Sequence, residues 1–538
     1  MKKLLGIVLS AALICFLTAC AQQPASQTSE KETVPVSANL SKTDMTKWKY
    51  NEDNDFYYQT EIAYCETPAD KNYEQLALFV PAAYMDAAKN NDGTYTCTLN
   101  ETAEINGYTA GDAPIVMAVE TPGYHAAEPM TESVMNENPI INEIISEYIS
   151  QGMVFVYPGC RGIEEGVPAG VTDLKAAVRY IRYCDDVIAG DAESVFVSGT
   201  SGGGAQAAVL GASGDSELYD PYLKAIGAVQ GVSDAVKGSM DWCPITSLDT
   251  ANAEYEWMMG CTRPKRSGEE QTISDKLAAA YADYVNSAGF TDEDDNALTL
   301  TESENGIYQA GSYYEYIKSV IEKSLNNYLA DNDFSDPSLH NSYGSAQGYI
   351  DELNKDSKWV TYDKNTNTAA ITSVADFAKA CKNASDLIVA FDQPQSENNL
   401  FGCGDGKSSH FDSILAGILT EMNSEYASDY NTDLAKTDSF GNTVAQRVDM
   451  YSPLYYLMKS RGGYGKSTVA KYWRIRSGIE QSNTSLTTEV NLALALEHCD
   501  GVEGVDFETV WGEGHTEAER TGESIENFIK WINDCMKG

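Results

Sequence analysis

Gly199-Thr200-Ser201-Gly202-Gly203 fits the pattern G-x-S-x-G, follows the apolar run Val195-Phe196-Val197 and precedes small, helix-compatible residues. A serine in that setting occupies a sharp strand-to-helix turn and is a candidate nucleophile. The glycines have a steric job, because such a turn is strained and leaves little room for side chains two positions either side. The helix behind it would aim free N–H groups at a developing oxyanion.

A nucleophilic serine needs a base, and the chain has five histidines, at 125, 340, 410, 498 and 515. His515 ends Trp511-Gly512-Glu513-Gly514-His515, after a run that reads as the last strand, so the order serine, acid, histidine is available. His125 follows an early strand and is placed to line the mouth of a site; the other three have no such placing. The acid is expected in Ser477-Gly478-Ile479-Glu480-Gln481-Ser482-Asn483-Thr484-Ser485, where Glu480 is the only carboxylate. An orienting carboxylate holds the histidine tautomer and stabilises imidazolium; an amide substitute is structurally compatible but slower. For the oxyanion, one N–H is expected from Gly202 and one from Thr121-Pro122-Gly123-Tyr124, through Gly123 or Tyr124, although that loop lacks an HGGG pattern. Arg161, in Gly159-Cys160-Arg161-Gly162, walls the site as the partner of a carboxylate or phenol, or else forms a structural ion pair.

The elements that must hold these residues are legible as alternating strand and helix. Apolar runs at 113–119, 153–157 and 195–197 read as buried strands, with further strands expected at 225–229, 469–476 and 505–511. Leu174, Ala177, Val178 and Ile181 recur at helical spacing behind a Thr172-Asp173 start, and Ile525, Phe528, Ile529 and Ile532 define a terminal helix. Such alternation implies right-handed crossovers and a mostly parallel sheet with helices on both faces, an α/β class. The core is expected over 46–245 and 441–538. The interruption over 246–440 is mostly polar helical material, with Tyr313, Tyr314, Tyr316 and Ile317 in one segment and Val374, Phe377 and Ala378 in another, and reads as a lid or cap.

At the N-terminus, Lys2 and Lys3 precede an apolar run and then Leu17-Thr18-Ala19-Cys20, the layout of an export signal over 1–19. The cysteine after the cut resembles a bacterial lipobox, which implies lipid on Cys20 and a protein tethered to the cell membrane by acyl chains. Residues 20–45 carry almost no large apolar side chain and read as a flexible linker. A formal charge of −43 makes phosphate backbones and acidic lipids poor partners, so nucleic-acid binding is excluded. The patch Thr291-Asp292-Glu293-Asp294-Asp295-Asn296 lacks the glycine and terminal glutamate of an EF-hand and reads as a solvated loop. Ten cysteines beyond Cys20 include no C-x-x-C pair, so neither a zinc ribbon nor a redox motif is expected. Gly465-Lys466-Ser467 lacks the earlier glycine of a phosphate loop. No metal or cofactor is called for.

In Ala113 to Tyr124, Gly159 to Gly162, Thr172 to Tyr183, Gly199 to Gly203, Trp473 to Gly478, Asn483-Thr484-Ser485 and His515, the chain resembles the bacterial subtype B tannases and related feruloyl-esterase-like α/β-hydrolases. The resemblance implies an α/β-hydrolase fold and a serine esterase acting on small esters of hydroxylated aromatic acids, such as gallate or hydroxycinnamate, through an acyl-enzyme on Ser201 with His515 as base. It also implies that Glu397 is a lid carboxylate for phenol hydroxyls. Asn483 stands where the resemblance places the triad aspartate, so either Glu480 substitutes or the enzyme is impaired. Two other readings remain: a serine peptidase on the same scaffold, and a lipoprotein that only captures a ligand.

Overall fold

Runs of apolar residues between turns build one nine-stranded sheet. Its strands are β1 (Lys49–Asn51), β2 (Phe56–Ala63), β3 (Gln75–Pro81), β4 (Ile115–Val119), β5 (Val154–Pro158), β6 (Val195–Thr200), β7 (Gly238–Trp242), β8 (Tyr472–Gly478) and β9 (Gly504–Val510). The computed structural model describes residues 36 and 38–538, apart from 265–267, 305–306, 337–342, 383–395 and 483. The expected signal segment, Cys20, His340 and Asn483 therefore lie outside the described residues, as does most of the expected linker.

The strands lie in the order β1-β2-β3-β5-β4-β6-β7-β8-β9. Pairing is antiparallel from β1 to β5 along that order and parallel from β5 to β9. After β4 the chain steps one way to β5 and then returns across to β6. The sheet thus has a switch point between β4 and β6, where the loops beyond the strands' carboxyl ends diverge and leave a crevice. The expected nucleophile and the expected oxyanion loop follow these two strands, so topology alone sets them side by side.

Helices cover both faces, as the α/β pattern requires. On one face lie Ala169–Tyr183, Gly202–Ala212 and Thr487–Glu497, all largely buried. On the other, Pro139–Ser150 and Ser524–Cys535 bring Ile145, Tyr148, Ile149, Phe528 and Ile532 against Phe155, Phe196, Met240 and Trp242. The first of these helices carries charge inside. Lys175 and Arg179 are both buried and share the buried Asp234, at 2.8 and 2.7 Å. Among the described residues, the ten cysteines beyond Cys20 are free thiols, and no helix is long and apolar enough to cross a membrane.

Two expectations are corrected. Residues 225–229 are not a strand: Pro221 opens the helix Asp220–Ala225, Gly227 turns the chain at φ 66°, and Ala228 makes only an isolated bridge to Cys65. The strand in that place is β7, whose sequence Gly-Ser-Met-Asp-Trp lacks β-branched residues and is extended because β6 and β8 pair with it on both sides. Nor do Thr172-Asp173 start a helix. They lie one turn inside Ala169–Tyr183, where the Thr172 hydroxyl donates to Pro168 O and Asp173 is taken by Arg161.

The material between β7 and β8 is mainly helical, from Ala251–Met259 through Pro453–Leu457, with one small antiparallel pair, Val360–Asp363 and Thr368–Ile371. Two of its tyrosines, Tyr281 and Tyr313, are fully buried packing residues. Tyr313 and Tyr281 meet at 2.8 Å, and both bond Asn491 on the core helix Thr487–Glu497, at 2.6 and 2.9 Å. The acidic patch at 291–296 is a turn in which Asp292 accepts from the backbone of Asp294 and Asn296.

Candidate active site

Ser201 stands between the end of β6 and the helix Gly202–Ala212, at φ 60° and ψ −119°. An L-residue there carries strain of about 1–3 kcal/mol, which a packed surrounding must hold. The surrounding is close. A Cβ on Gly199 would lie 2.4 Å from Gly203 C, and one on Gly203 would lie 2.2 Å from Val119 O. Ser201 N–H continues the β6–β7 pairing by donating to Trp242 O at 2.9 Å.

Gly202 is pressed against the loop after β4: a Cβ on it would meet Thr121 O and Tyr124 N, each at 2.6 Å. That loop is a tight turn, Pro122–Tyr124, with Gly123 at φ 59° and ψ 23°. Tyr124 N–H donates to Thr121 O at 3.0 Å. The turn is held from below by Ile163 N–H, which donates to Tyr124 O at 2.9 Å, and by reciprocal 3.0 Å bonds between Ala127 and Cys160.

Arg161 belongs to this support. Its Nε and Nη2 bond the two carboxylate oxygens of buried Asp173, at 2.9 and 2.6 Å, and its backbone N–H adds a third bond of 2.8 Å. Glu74 lies 3.7 Å away on the other side. Of the two roles expected of Arg161, the structural ion pair is the one formed: Nε and Nη2 of its planar fork are engaged by a buried carboxylate.

His515 follows β9, in a loop stitched to the elbow at several points. Glu517 accepts from the Thr200 hydroxyl at 3.0 Å, and Cys243 Sγ lies 3.1 Å from Thr516 O. Glu519, nearly buried, takes a two-pronged bond from Arg474 at 2.5 and 2.6 Å and one from the Trp242 indole at 3.3 Å. Gly478 passes directly beneath, for its Cβ would lie 1.9 Å from Gly514 O. Partial desolvation pulls the His515 pKa below the ordinary imidazole value. The other described histidines lie elsewhere: His125 is exposed beside Glu164, His410 is buried on Asp433, and His498 caps its own helix at Leu494 O.

The partner of His515 is Gln481, whose Oε1 lies 2.8 Å from Nδ1. Glu480, expected there, does not hold the histidine. It lies in the turn that follows β8, where its backbone N–H donates to Glu513 O at 3.0 Å, and His515 Nδ1 is taken by the next residue instead. Burial raises the Glu480 pKa, while Lys382 pulls the other way. Asn483 lies outside the described residues. Behind Gln481 sits a group the sequence reading missed. Gln481 Nε2 donates to Glu489, which is fully buried in the first turn of Thr487–Glu497. The Lys382 ammonium, from the insertion, donates to Gln481 O at 3.0 Å and Thr484 O at 2.8 Å.

Glu397 lies on the short helix Ser396–Leu400, which packs on the turn at Pro122–Tyr124. Burial raises its pKa, and its charge in turn raises those of Tyr124 and Tyr255. Among the described residues no group of three or more His, Cys, Asp and Glu is arranged to hold a metal ion.

A family model described as BD-FAE matches residues 108–305. A tannin acyl hydrolase from Lactobacillus plantarum is 26% identical over 89% of this chain and 94% of its own, with a TM-score of 0.68. A tannase from Fusobacterium nucleatum is 27% identical over 89% and 95%, also at 0.68. A tannin acyl hydrolase in complex with ethyl gallate is 25% identical over 89% and 94%, at 0.67. No curated protein matches. With the parallel sheet, the helices on both its faces and the helical insertion already described, these likenesses show that the chain has an α/β-hydrolase fold similar to that of the tannases and of the family described as BD-FAE.

Proposed function

We propose that the protein is a serine esterase that cleaves esters of hydroxylated aromatic acids. The observation that carries this reading is the stitching of the His515 loop to the strained Ser201 turn through Thr200, Cys243 and Trp242. In the reaction, Ser201 Oγ attacks the ester carbonyl carbon while His515 Nε2 takes the hydroxyl proton. The oxyanion is met by the N–H of Gly202 and by that of Gly123, since the Tyr124 N–H already serves Thr121 O. The C–O bond to the alcohol then breaks, His515 returns the proton to the leaving oxygen, and water releases the acid from Ser201 by the same steps.

The aromatic-acid reading draws on the neighbour that holds ethyl gallate and on Glu397. A half-buried carboxyl next to the Tyr124 turn suits phenol hydroxyls, which donate hydrogen bonds that an aliphatic acid lacks. Chromatographic assay of methyl gallate, methyl ferulate and ethyl butyrate tests it. The expected result is turnover of one or both phenolic esters well above the butyrate; equal turnover of all three would remove the phenolic specificity. One observation favours a ligand-capturing protein instead, namely that the partner of His515 is an amide. Absence of turnover on every ester would decide for that reading.

Gly478→Ala provides a geometric check. The added methyl meets Gly514 O and Glu513 O, so the His515 loop must move. A displacement near 1 Å is expected to cost about 100-fold in turnover, and the overpacking about 1–3 kcal/mol of stability, read as a lower melting temperature. Unchanged turnover would show that His515 does not need this position.

The export reading extends the proposal to the cell surface, with Cys20 carrying the lipid. Incorporation of labelled palmitate by the parent in bacterial cells and its loss in Cys20→Ala is the expected result; equal labelling of both would exclude this cysteine.

A further inference from the structure

An amide beside a catalytic histidine is normally a defect. It can turn its NH2 group toward the ring, which then must accept at Nδ1 and carry its proton on Nε2, the nitrogen needed to take a proton from serine. In this protein the orientation of the amide has a cause. The neighbour of Gln481 on its far side is the buried carboxylate of Glu489, and an ionised carboxylate only accepts. Gln481 must therefore turn Nε2 to Glu489 and Oε1 to His515, which then must donate from Nδ1 and leave the Nε2 lone pair free.

We propose that Glu489 is a positioning residue that acts through Gln481, fixing the His515 tautomer and supplying from one side chain away the negative charge that stabilises its imidazolium. The inference rests on the reading of His515 as the base for Ser201. No proton leaves His515 for the amide, because an amide oxygen is too weak a base. The only proton that moves is the one exchanged between Ser201 Oγ, His515 Nε2 and the leaving oxygen.

The surroundings of Glu489 oppose one another: burial disfavours its charge, while a helix terminus and a lysine favour it. Glu489 is in the first turn of its helix, where the aligned backbone dipoles favour an anion. Lys382 stands in its field and pins the Gln481 backbone as well. The Gln481 amide donates to Glu489 Oε1, and the Ser477 hydroxyl and the backbone N–H of Glu489 itself also favour the charged form of this carboxylate. Burial lifts its pKa to about 7, and Lys382 holds it from rising further. The other titratable groups facing it are Glu254 and Tyr255 on Ala251–Met259 and Cys243 after β7. As pH falls through neutrality, Glu489 takes a proton and the relay loses both its charge and its directionality. Turnover should therefore rise with pH across that range, with Glu489 adding to the titration of His515.

Glu489→Gln in the full chain is the test, read in two ways. By nitrogen NMR of the five histidines, the parent should show His515 protonated on Nδ1 when neutral. In Glu489→Gln a mixture of tautomers and a pKa lower by about one pH unit are expected, the size of one charge acting at short range in a partly buried site. In ester turnover, kcat should fall about 10- to 100-fold at unchanged KM, as for other supporting partners of an active-site ligand. The neutral-pH limb of the profile should vanish. The exchanged pair, Gln481→Glu with Glu489→Gln, restores both the donor and the charge and should recover the parent kcat or exceed it; it also serves if the single variant does not fold. An unchanged tautomer, pKa and kcat in Glu489→Gln, or an exchanged pair no faster than the single variant, would overturn the proposal. A parent with the expected His515 titration but no ester turnover would sink the esterase reading and leave the relay standing.

Discussion

Ser201→Ala is expected to lower ester turnover by roughly 10⁴- to 10⁶-fold while leaving the fold and KM nearly as they were. The size follows from the division of labour in the crevice. Without Oγ there is no acyl-enzyme, and His515 can only assist a water molecule that nothing positions. The oxyanion donors at Gly202 and Gly123 survive the substitution, so a residual rate above that of free solution should remain. Strain points the same way for stability. Ser201 is held at φ 60° between glycines packed so closely that a Cβ added to any of them would lie 2.2 to 2.6 Å from a neighbouring backbone atom, and exchange of Ser201 for alanine leaves that packing as it is. Turnover of a phenolic ester and a thermal melt check both halves. Unchanged turnover would take Ser201 out of the mechanism.

Asp173→Ala is expected to be the most damaging substitution for the fold near the site, costing about 3–5 kcal/mol. The carboxylate is buried and accepts three bonds from Arg161, whose other acidic neighbour, Glu74, lies 3.7 Å away. Removing it leaves a cation in the interior with its main partner gone, which is far costlier than losing an exposed pair. The loss should lower the melting temperature by about 3–5 °C. It should also lower turnover, because the Gly159–Gly162 turn that Arg161 anchors carries the Tyr124 loop through Ile163 and Cys160. Asp173→Asn keeps the shape and two acceptor lone pairs and should fall between parent and alanine variant. A melting temperature unchanged in Asp173→Ala would show that Arg161 is held by other contacts.

The parts of this account that were legible in the sequence are those in which local pattern and function coincide. Val195-Phe196-Val197 is apolar and β-branched, the glycines around Ser201 are demanded by contacts under 3 Å, and His515 follows a strand that pairs in register with its neighbour over its whole length. What escaped was decided by distant partners. β7 has no strand propensity of its own and is extended because it is paired on both sides. Arg161 looked like a ligand arm because Asp173, twelve residues on, reads as a helix cap until the helix is seen to begin at Ala169. Gln481 was passed over because the search in its loop was for a carboxylate. The carboxylate exists, but it lies eight residues further on at Glu489, inside a helix that is apolar on nearly every side. A glutamic acid amid Thr487, Thr488, Val490 and Leu492 was the available signal, since a charge on so buried a helix needs a partner.

The central claim, that Ser201 is an activated nucleophile served by His515, is tested most directly by exposing the purified protein to a fluorophosphonate and mapping the labelled peptide by mass spectrometry. The account predicts one phosphonylated residue, Ser201, in the parent, and none in His515→Ala over the same time. A folded parent that takes no label, or takes it elsewhere, would contradict it.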